Sequence, residues 1–288
     1  MPIKRVLVVS DLHVGSIYGL LPPGFVTSEG REINLNSGQK YLWQCWEHAS
    51  KTIGSVDAMV INGDAIDGLQ QAQTGSELCL PLLEDQSEAA YVTLDMMQRA
   101  VGLPRLFTIQ GTEYHDSKAG REMEVISQRL GAEKYSGIGV GRYCKEALDL
   151  EIGGAILNFS HGTSVASGLY RATPPDREAV WSALAGKQGK APKADVVCRS
   201  HAHIFVHVEH PSKHALICPC WQLQTRFMRR HSIYRMLPDI GYVVIEIDTE
   251  ARSQGNDPIK ICKRTYSLPE PKVTHFERPS PRQTSGTS

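Results

Sequence analysis

Apolar runs that stop abruptly at Asp or His constrain this chain more than any other feature. Val6-Leu7-Val8-Val9 leads into Ser10-Asp11-Leu12-His13, and residues 57–61 lead into Asn62-Gly63-Asp64. Residues 104–110 lead into Gly111-Thr112-Glu113-Tyr114-His115-Asp116. Residues 155–159 end in Ser160-His161-Gly162, and 194–198 in Arg199-Ser200-His201-Ala202-His203. Runs rich in Val and Ile suit strands buried on both faces. Open α/β sheets keep their ligand sites at the carboxyl ends of such strands. Taken singly, each ending is ordinary turn chemistry, as Asn-Gly-Asp commonly is. The repetition is harder to explain that way.

The segments between these runs read as helices, so the class is α/β. Helical spacing predicts helices over 39–53, 84–101, 121–130 and 177–185, with Trp43 and Trp46 on one packing face. Residues 148–152 and 155–159, split by Gly153-Gly154, read as a hairpin. Residues 204–209, 215–218 and 241–248 read as an antiparallel β layer. The loop over 20–38 is long for a βα connection, and such loops are often functional. Residues 1–267 are expected to form one domain with a loop and helical insertion at about 18–55. Residues 268–288 are expected to be a disordered or loosely docked tail.

Composition narrows the function classes. Lys+Arg and Asp+Glu both total 31 in the 288 residues, so no global basic field attracts nucleic acid. No apolar run reaches the ~18 residues of a membrane span. The seven cysteines are odd in number and irregularly spaced, and Lys4-Arg5 leads directly into a strand. The expectation is reduced thiols, no secretory leader and a cytoplasmic location, in the host if the chain is phage-encoded. Cys218-Pro219-Cys220 lacks the second pair that a zinc site needs.

Asp11, His13, Asp64, Glu113, His115, His161, His201 and His203 offer carboxylates and imidazoles together. That mixture suits Mn²⁺, Fe or Zn²⁺ better than Mg²⁺ or Ca²⁺. It exceeds the needs of one tetrahedral ion, but two ions ~3.5–4 Å apart would use it well. A pair of ions suits in-line displacement at a phosphoester.

The order Asp11-Leu12-His13, Gly63-Asp64, Gly111 to His115, Ser160-His161-Gly162, Ser200-His201-Ala202-His203 resembles the calcineurin-like metallophosphoesterases. The blocks span residues 10 to 203. The resemblance implies a four-layer α-β-β-α sandwich of two facing mixed sheets flanked by helices. It implies two divalent ions, Mn first, with Fe, Zn or Ni as alternatives. Asp11, His13 and His203 would hold one ion and His161 and His201 the other, with Asp64 bridging. A metal-bridging hydroxide would attack phosphorus. His115 would act as general acid, its pKa tuned by Asp116. The family's Gly-Asn-His is replaced here by Gly111-Thr112-Glu113-Tyr114-His115, with two residues inserted. Thr112 takes the Asn position and Glu113 is the expected substitute ligand. The variant is similar to phage- and prophage-encoded relatives.

The implied function is a phosphodiesterase or nuclease. Alternatives are a phosphomonoesterase or protein phosphatase of the same fold, and a non-catalytic scaffold. Tyr114, Tyr170 and Arg171 are the expected substrate contacts, with a nucleotide or nucleic acid as the candidate partner. Trp221, Arg226 and Arg229-Arg230-His231 could also meet a nucleotide, although a charge run is as often a solvated face. His48, His207, His210, His214, His231 and His275 fit no block and read as surface or packing residues. Of these, His207 is at strand spacing to reach the cleft.

Overall fold

A computed structural model of the chain describes residues 3–116, 120–135, 142–162, 170–232 and 237–269. The expected tail lies almost wholly outside the described residues. Strand β1 (Ile3–Val9) pairs in parallel with β2 (Ala58–Asn62), which pairs in parallel with β3 (Arg105–Ile109). The short β4 (Cys144–Lys145) extends that edge. On the other side β1 pairs antiparallel with β10 (Ile240–Asp248), and β10 with β11 (Ile259–Tyr266). The result is a mixed six-stranded sheet.

A second mixed sheet is built from β5 (Ala147–Ile152), β6 (Ala155–Ser160), β7 (Val196–Arg199), β9 (Lys213–Ile217) and β8 (Val206–His210), in that spatial order. Gly153 and Gly154 both have positive φ and make the tight β5–β6 turn, as the Gly-Gly pair predicts.

Strand alternation explains how the sheets stack. Val6, Val8, Val60, Phe107 and Ile245 share one buried layer with Leu148, Leu157, Phe159, Val196 and Leu216 of the second sheet. Their neighbours Leu7, Val9, Met59, Ile61 and Leu106 point the other way. There they meet α1 (Ser37–Thr52), α2 (Leu83–Ala100) and α3 (Arg121–Arg129). On the far side, Val197 and Ala215 meet Ala179 of α4 (Thr173–Lys187). The order is helices, sheet, sheet, helix, a four-layer α/β sandwich. Each fully buried Val, Leu or Ile contributes about 1.5–3 kcal/mol.

Residues 20–38 are not spare loop. Leu20, Leu21, Phe25 and Ile33 are buried in the helix-side core. Asn36 then caps α1 through a reciprocal pair with Gln39. Trp46 is fully buried, edge-on to Trp221 at 4.7 Å, and donates to the Thr93 carbonyl. Among the described residues, no helix is long and apolar enough to cross a membrane.

Candidate metal centre

The parallel strands β1, β2, β3, β6 and β7 deliver five chain segments to one edge of the sandwich. The pairing continues past the strand ends: Asp11 N donates to the Gly63 carbonyl and His13 N to that of Asp64, both at 3.1 Å. The Asp11 carbonyl in turn accepts from Trp221 N at 2.9 Å, so the Trp46–Trp221 pair braces the site from below. Asn62 crosses between sheets, donating to Ser200 Oγ at 2.7 Å and to the Ser160 carbonyl at 3.2 Å.

Backbone strain is concentrated here. Eight described non-glycine residues have positive φ, and five of them are Asp11, His13, Asp64, His201 and His203. Each left-handed residue costs about 1–3 kcal/mol and persists only where surrounding contacts over-determine it. The strands thus end in turns that aim side chains at one point rather than relax.

Three groups of metal-type ligand atoms result: Asp11 with His13 and His203, Asp64 with His161 and His201, and His13 again with Asp67 and His115. One histidine of each group is fixed from behind. His13 Nδ1 donates to Asp67 Oδ1 at 2.9 Å, leaving Nε2 to face His203 Nε2 at 3.1 Å. His161 Nδ1 donates to the Asn62 carbonyl at 2.7 Å, leaving Nε2 3.0 Å from Asp64 Oδ2. An outer acceptor on the far ring nitrogen is the usual arrangement of a metal-ligating histidine. Asp11 Oδ1 lies 3.2 Å from His203 Nε2, 3.8 Å from His161 Nε2 and 3.9 Å from His13 Nε2, so it reaches nitrogens of the first two groups.

The donor set fits divalent cations. Asp11 Oδ1 and His161 Nε2 are buried, and despite neighbours at 3.2 and 3.0 Å neither makes a well-aligned hydrogen bond, a condition that a cation at this point would relieve. Without a cation the cluster holds protons. Burial pushes His13 down, but Asp11 and Asp67 outweigh it and raise it to about 10. Burial likewise opposes protonation of His161, and Asp64 and Asp11 raise it to about 9. Burial pushes both carboxyls up, yet the His161 imidazolium and its neighbours hold Asp11 and Asp64 well below the carboxylate range. Metal uptake therefore displaces protons.

His115 stands beside the first group, its ring edge-on to His13 at 4.4 Å. Its Nδ1 donates to the Asp67 carbonyl at 2.7 Å. The structure departs from the expected Asp116 partner. The Asp116 carboxylate is turned inward, accepting from Met123 N at 2.8 Å and Gly111 N at 3.4 Å, and burial pushes its pKa up to about 7. Asp67 is the acid beside His115, with Oδ1 3.6 Å from Nδ1. It was the residue sequence reasoning missed. Its buried carboxylate also accepts from Gln70 and Gln222.

The variant block is also resolved differently. Thr112 lies against Asp64, its N–H donating to Oδ1 at 2.7 Å and its hydroxyl 3.2 Å away. Glu113 is exposed and joins no ligand group among the described residues. Tyr114 lines the cleft with His115, Gln73, Phe227 and Met228, and its hydroxyl donates to Gln73 Oε1. Tyr170 and Arg171 lead into α4 and are not among the described cleft-lining residues. Phe227 and Met228 belong to α5 (Arg226–Ser232), a helix not foreseen, whose Arg229 and Arg230 are exposed. His207 does not line the cleft.

Replacing Asp67 by Ala removes the acceptor that fixes His13. Titration with Mn²⁺ is expected to give ~10–100-fold weaker binding, and unchanged affinity would refute this role.

No protein-family model matches the chain, and no curated protein does. Among solved structures, it is similar to zinc-complexed wild-type Vps29 from Entamoeba histolytica, at 14% identity over 91% of this chain and 99% of that one, TM-score 0.40. It is similar to a predicted phosphoesterase from Streptococcus pneumoniae, at 12% identity over 92% and 99%, TM-score 0.37. It is also similar to an archaeal phosphodiesterase, at 10% identity over 91% and 100%, TM-score 0.42.

Proposed function

We propose that the chain is a calcineurin-like metallophosphoesterase, a dinuclear metal-dependent hydrolase of phosphodiesters. One observation carries this reading: two adjoining ligand groups, each containing one histidine (His13, His161) held at Nδ1 from behind, with Asp11 and Asp64 carboxylate oxygens close to the free nitrogens. Asp11, His13 and His203 would hold one ion, and His161 and His201 the other. Asp64, 3.0 Å from His161 Nε2, would be the shared ligand that the family resemblance implies, with Asp11 Oδ1 also within reach of both groups. When bound, the ions acidify a water and neutralise charge on the phosphoryl oxygens. Mn²⁺ is the first candidate for this nitrogen and oxygen set.

The protein's own groups do the rest. His115 keeps Nδ1 on the Asp67 carbonyl, so Nε2 is the atom left for the leaving oxygen. In the metal-free chain, burial and the His13 imidazolium hold its pKa below the ordinary histidine range. An anionic phosphate entering the cleft acts in the opposite sense and favours the protonated ring that can donate. Tyr114 and Phe227, both substantially exposed in the cleft wall, offer flat apolar contacts to a group esterified to the phosphate.

The test is a panel on the Mn²⁺-loaded chain: bis-p-nitrophenyl phosphate, p-nitrophenyl phosphate, single-stranded DNA and cyclic nucleotides. Diesters are expected to be the better substrates. His115→Gln is expected to lower kcat by ~10²–10⁴ on diesters with poor leaving groups and far less on nitrophenyl esters. Equal losses on both would remove His115 as the acid. No hydrolysis of any of the four would sink the whole reading.

A further inference from the structure

A second cluster of metal-type side chains lies outside the cleft, on the β8–β9 hairpin. Glu209 pairs directly with His214, and His207 is two residues from Glu209 on the same strand. The period of two puts all three side chains on one face. That face is the one turned toward the other sheet, because His207 pairs with Leu216 and His214 with Val196, both in the inter-sheet core. Ligand atoms of the three residues lie within 4.8 Å of one another.

The hydrogen bonds set the tautomer. His214 is 4% exposed, and its Nε2 is 3.1 Å from Asp257 Oδ2. A carboxylate only accepts, so Nε2 is the donating nitrogen and Nδ1 is the one left to accept or ligate. That Nδ1 lies 2.9 Å from His207 Nε2. Asp257 is itself fixed, its Oδ1 accepting from Ile259 N at 2.9 Å where β11 begins. A carboxylate behind one imidazole nitrogen, with the other nitrogen turned toward a second histidine and a glutamate, is how a protein presents histidine to zinc.

We propose that His207 Nε2, His214 Nδ1 and a Glu209 carboxylate oxygen bind one zinc-class divalent cation, with Asp257 as the positioning residue behind His214. Two imidazoles and one carboxylate suit Zn²⁺ over the hard cations. Tetrahedral ligands with bonds of ~2.0–2.1 Å sit roughly 3.4 Å apart, so the two rings need to separate by about half an ångström. Glu209 is exposed and free to swing in, and three protein ligands leave a fourth position to water. The His214–Asp257 hydrogen bond ties this edge hairpin to the turn before β11, and the ion would sit on the hairpin side of that link. None of this depends on the chemistry of the cleft.

The test is metal content of the full chain, equilibrated with Zn²⁺, desalted and counted by mass spectrometry. The double variant His207→Gln/His214→Gln is expected to hold one Zn²⁺ fewer than wild type and to hydrolyse phosphoesters at the same rate. An equal count overturns the proposal. Glu209→Gln changes an exposed residue and is a safeguard against a double variant that does not fold. It is expected to weaken this one binding step at least ~10-fold, and Asp257→Asn by ~10–100-fold. A wild-type isotherm in Glu209→Gln also overturns the site. Loss of the cleft metals in Asp64→Asn leaves this equivalent in place, so failure here and failure of the cleft reading are separable.

Discussion

Asp64→Asn is expected to bind Mn²⁺ at least ~100-fold more weakly than wild type and to lose ~10³-fold or more in turnover. Asn keeps the volume of the side chain and can still accept from Thr112 N, now at 2.7 Å from Oδ1. What it loses is the charge that two cations require. Outer acceptors alone are worth ~10–100-fold in metal affinity, and a ligand carries at least as much. The rate follows because each 1.4 kcal/mol of lost transition-state stabilisation is about tenfold, and ions at a phosphoryl group supply several kcal/mol. A readout independent of activity separates a lost ligand from a lost fold. In the metal-free chain, Asp64 is the first group offsetting burial to hold His161 up at about 9. Removing it leaves burial and the weaker pull of Asp11, so the His161 titration is expected to move down toward the ordinary histidine range by NMR. Metal affinity and turnover within about threefold of wild type would remove Asp64 from the site.

Why the candidate ligands were visible from the sequence and their supports were not is a matter of range. Asp11, His13, Asp64, His161, His201 and His203 each follow a buried strand, so local pattern alone places them at one edge. Asp67 follows Asp64 by three residues, yet its importance comes from His13 and Gln222, which are distant in the chain. No spacing encodes that meeting. Glu113 was expected as a ligand because its chemistry is better than that of Thr112. Backbone geometry outweighs chemistry here, since the Thr112 N–H is already committed to Asp64 and Glu113 falls one residue further round the turn. Strand β11 escaped notice because Lys260, Lys263 and Arg264 interrupt its apolar residues, a composition that protects an edge strand and also hides it. Helix α5 is seven residues long and dominated by Arg229-Arg230-His231, with no apolar stripe to mark it.

Gly63 links the two scales, and Gly63→Ala is expected to damage fold and site together. Gly63 has φ +88°, where an L residue costs about 1–2 kcal/mol. A Cβ there would lie 2.3 Å from His161 Nδ1 and 2.9 Å from Gly111 Cα. Neither neighbour moves cheaply. His161 Nδ1 is pinned to the Asn62 carbonyl at 2.7 Å, and Gly111 is backbone packed on Asp64. Overpacking of this kind adds about 1–3 kcal/mol, for roughly 2–5 kcal/mol in all. At about 2–4 °C per kcal/mol, Tm is expected to fall by roughly 4–20 °C. Gly24→Ala is the control, because Gly24 has φ +70° with nothing within 4 Å of its added Cβ. It bears only the backbone cost and is expected to lose a few degrees. Metal affinity distinguishes them further: displaced His161 weakens Mn²⁺ binding in Gly63→Ala, whereas Gly24→Ala binds as wild type does. Equal Tm shifts and unchanged affinity in both would mean that the β2 exit tolerates a side chain, and that His161 is not held where the contacts place it.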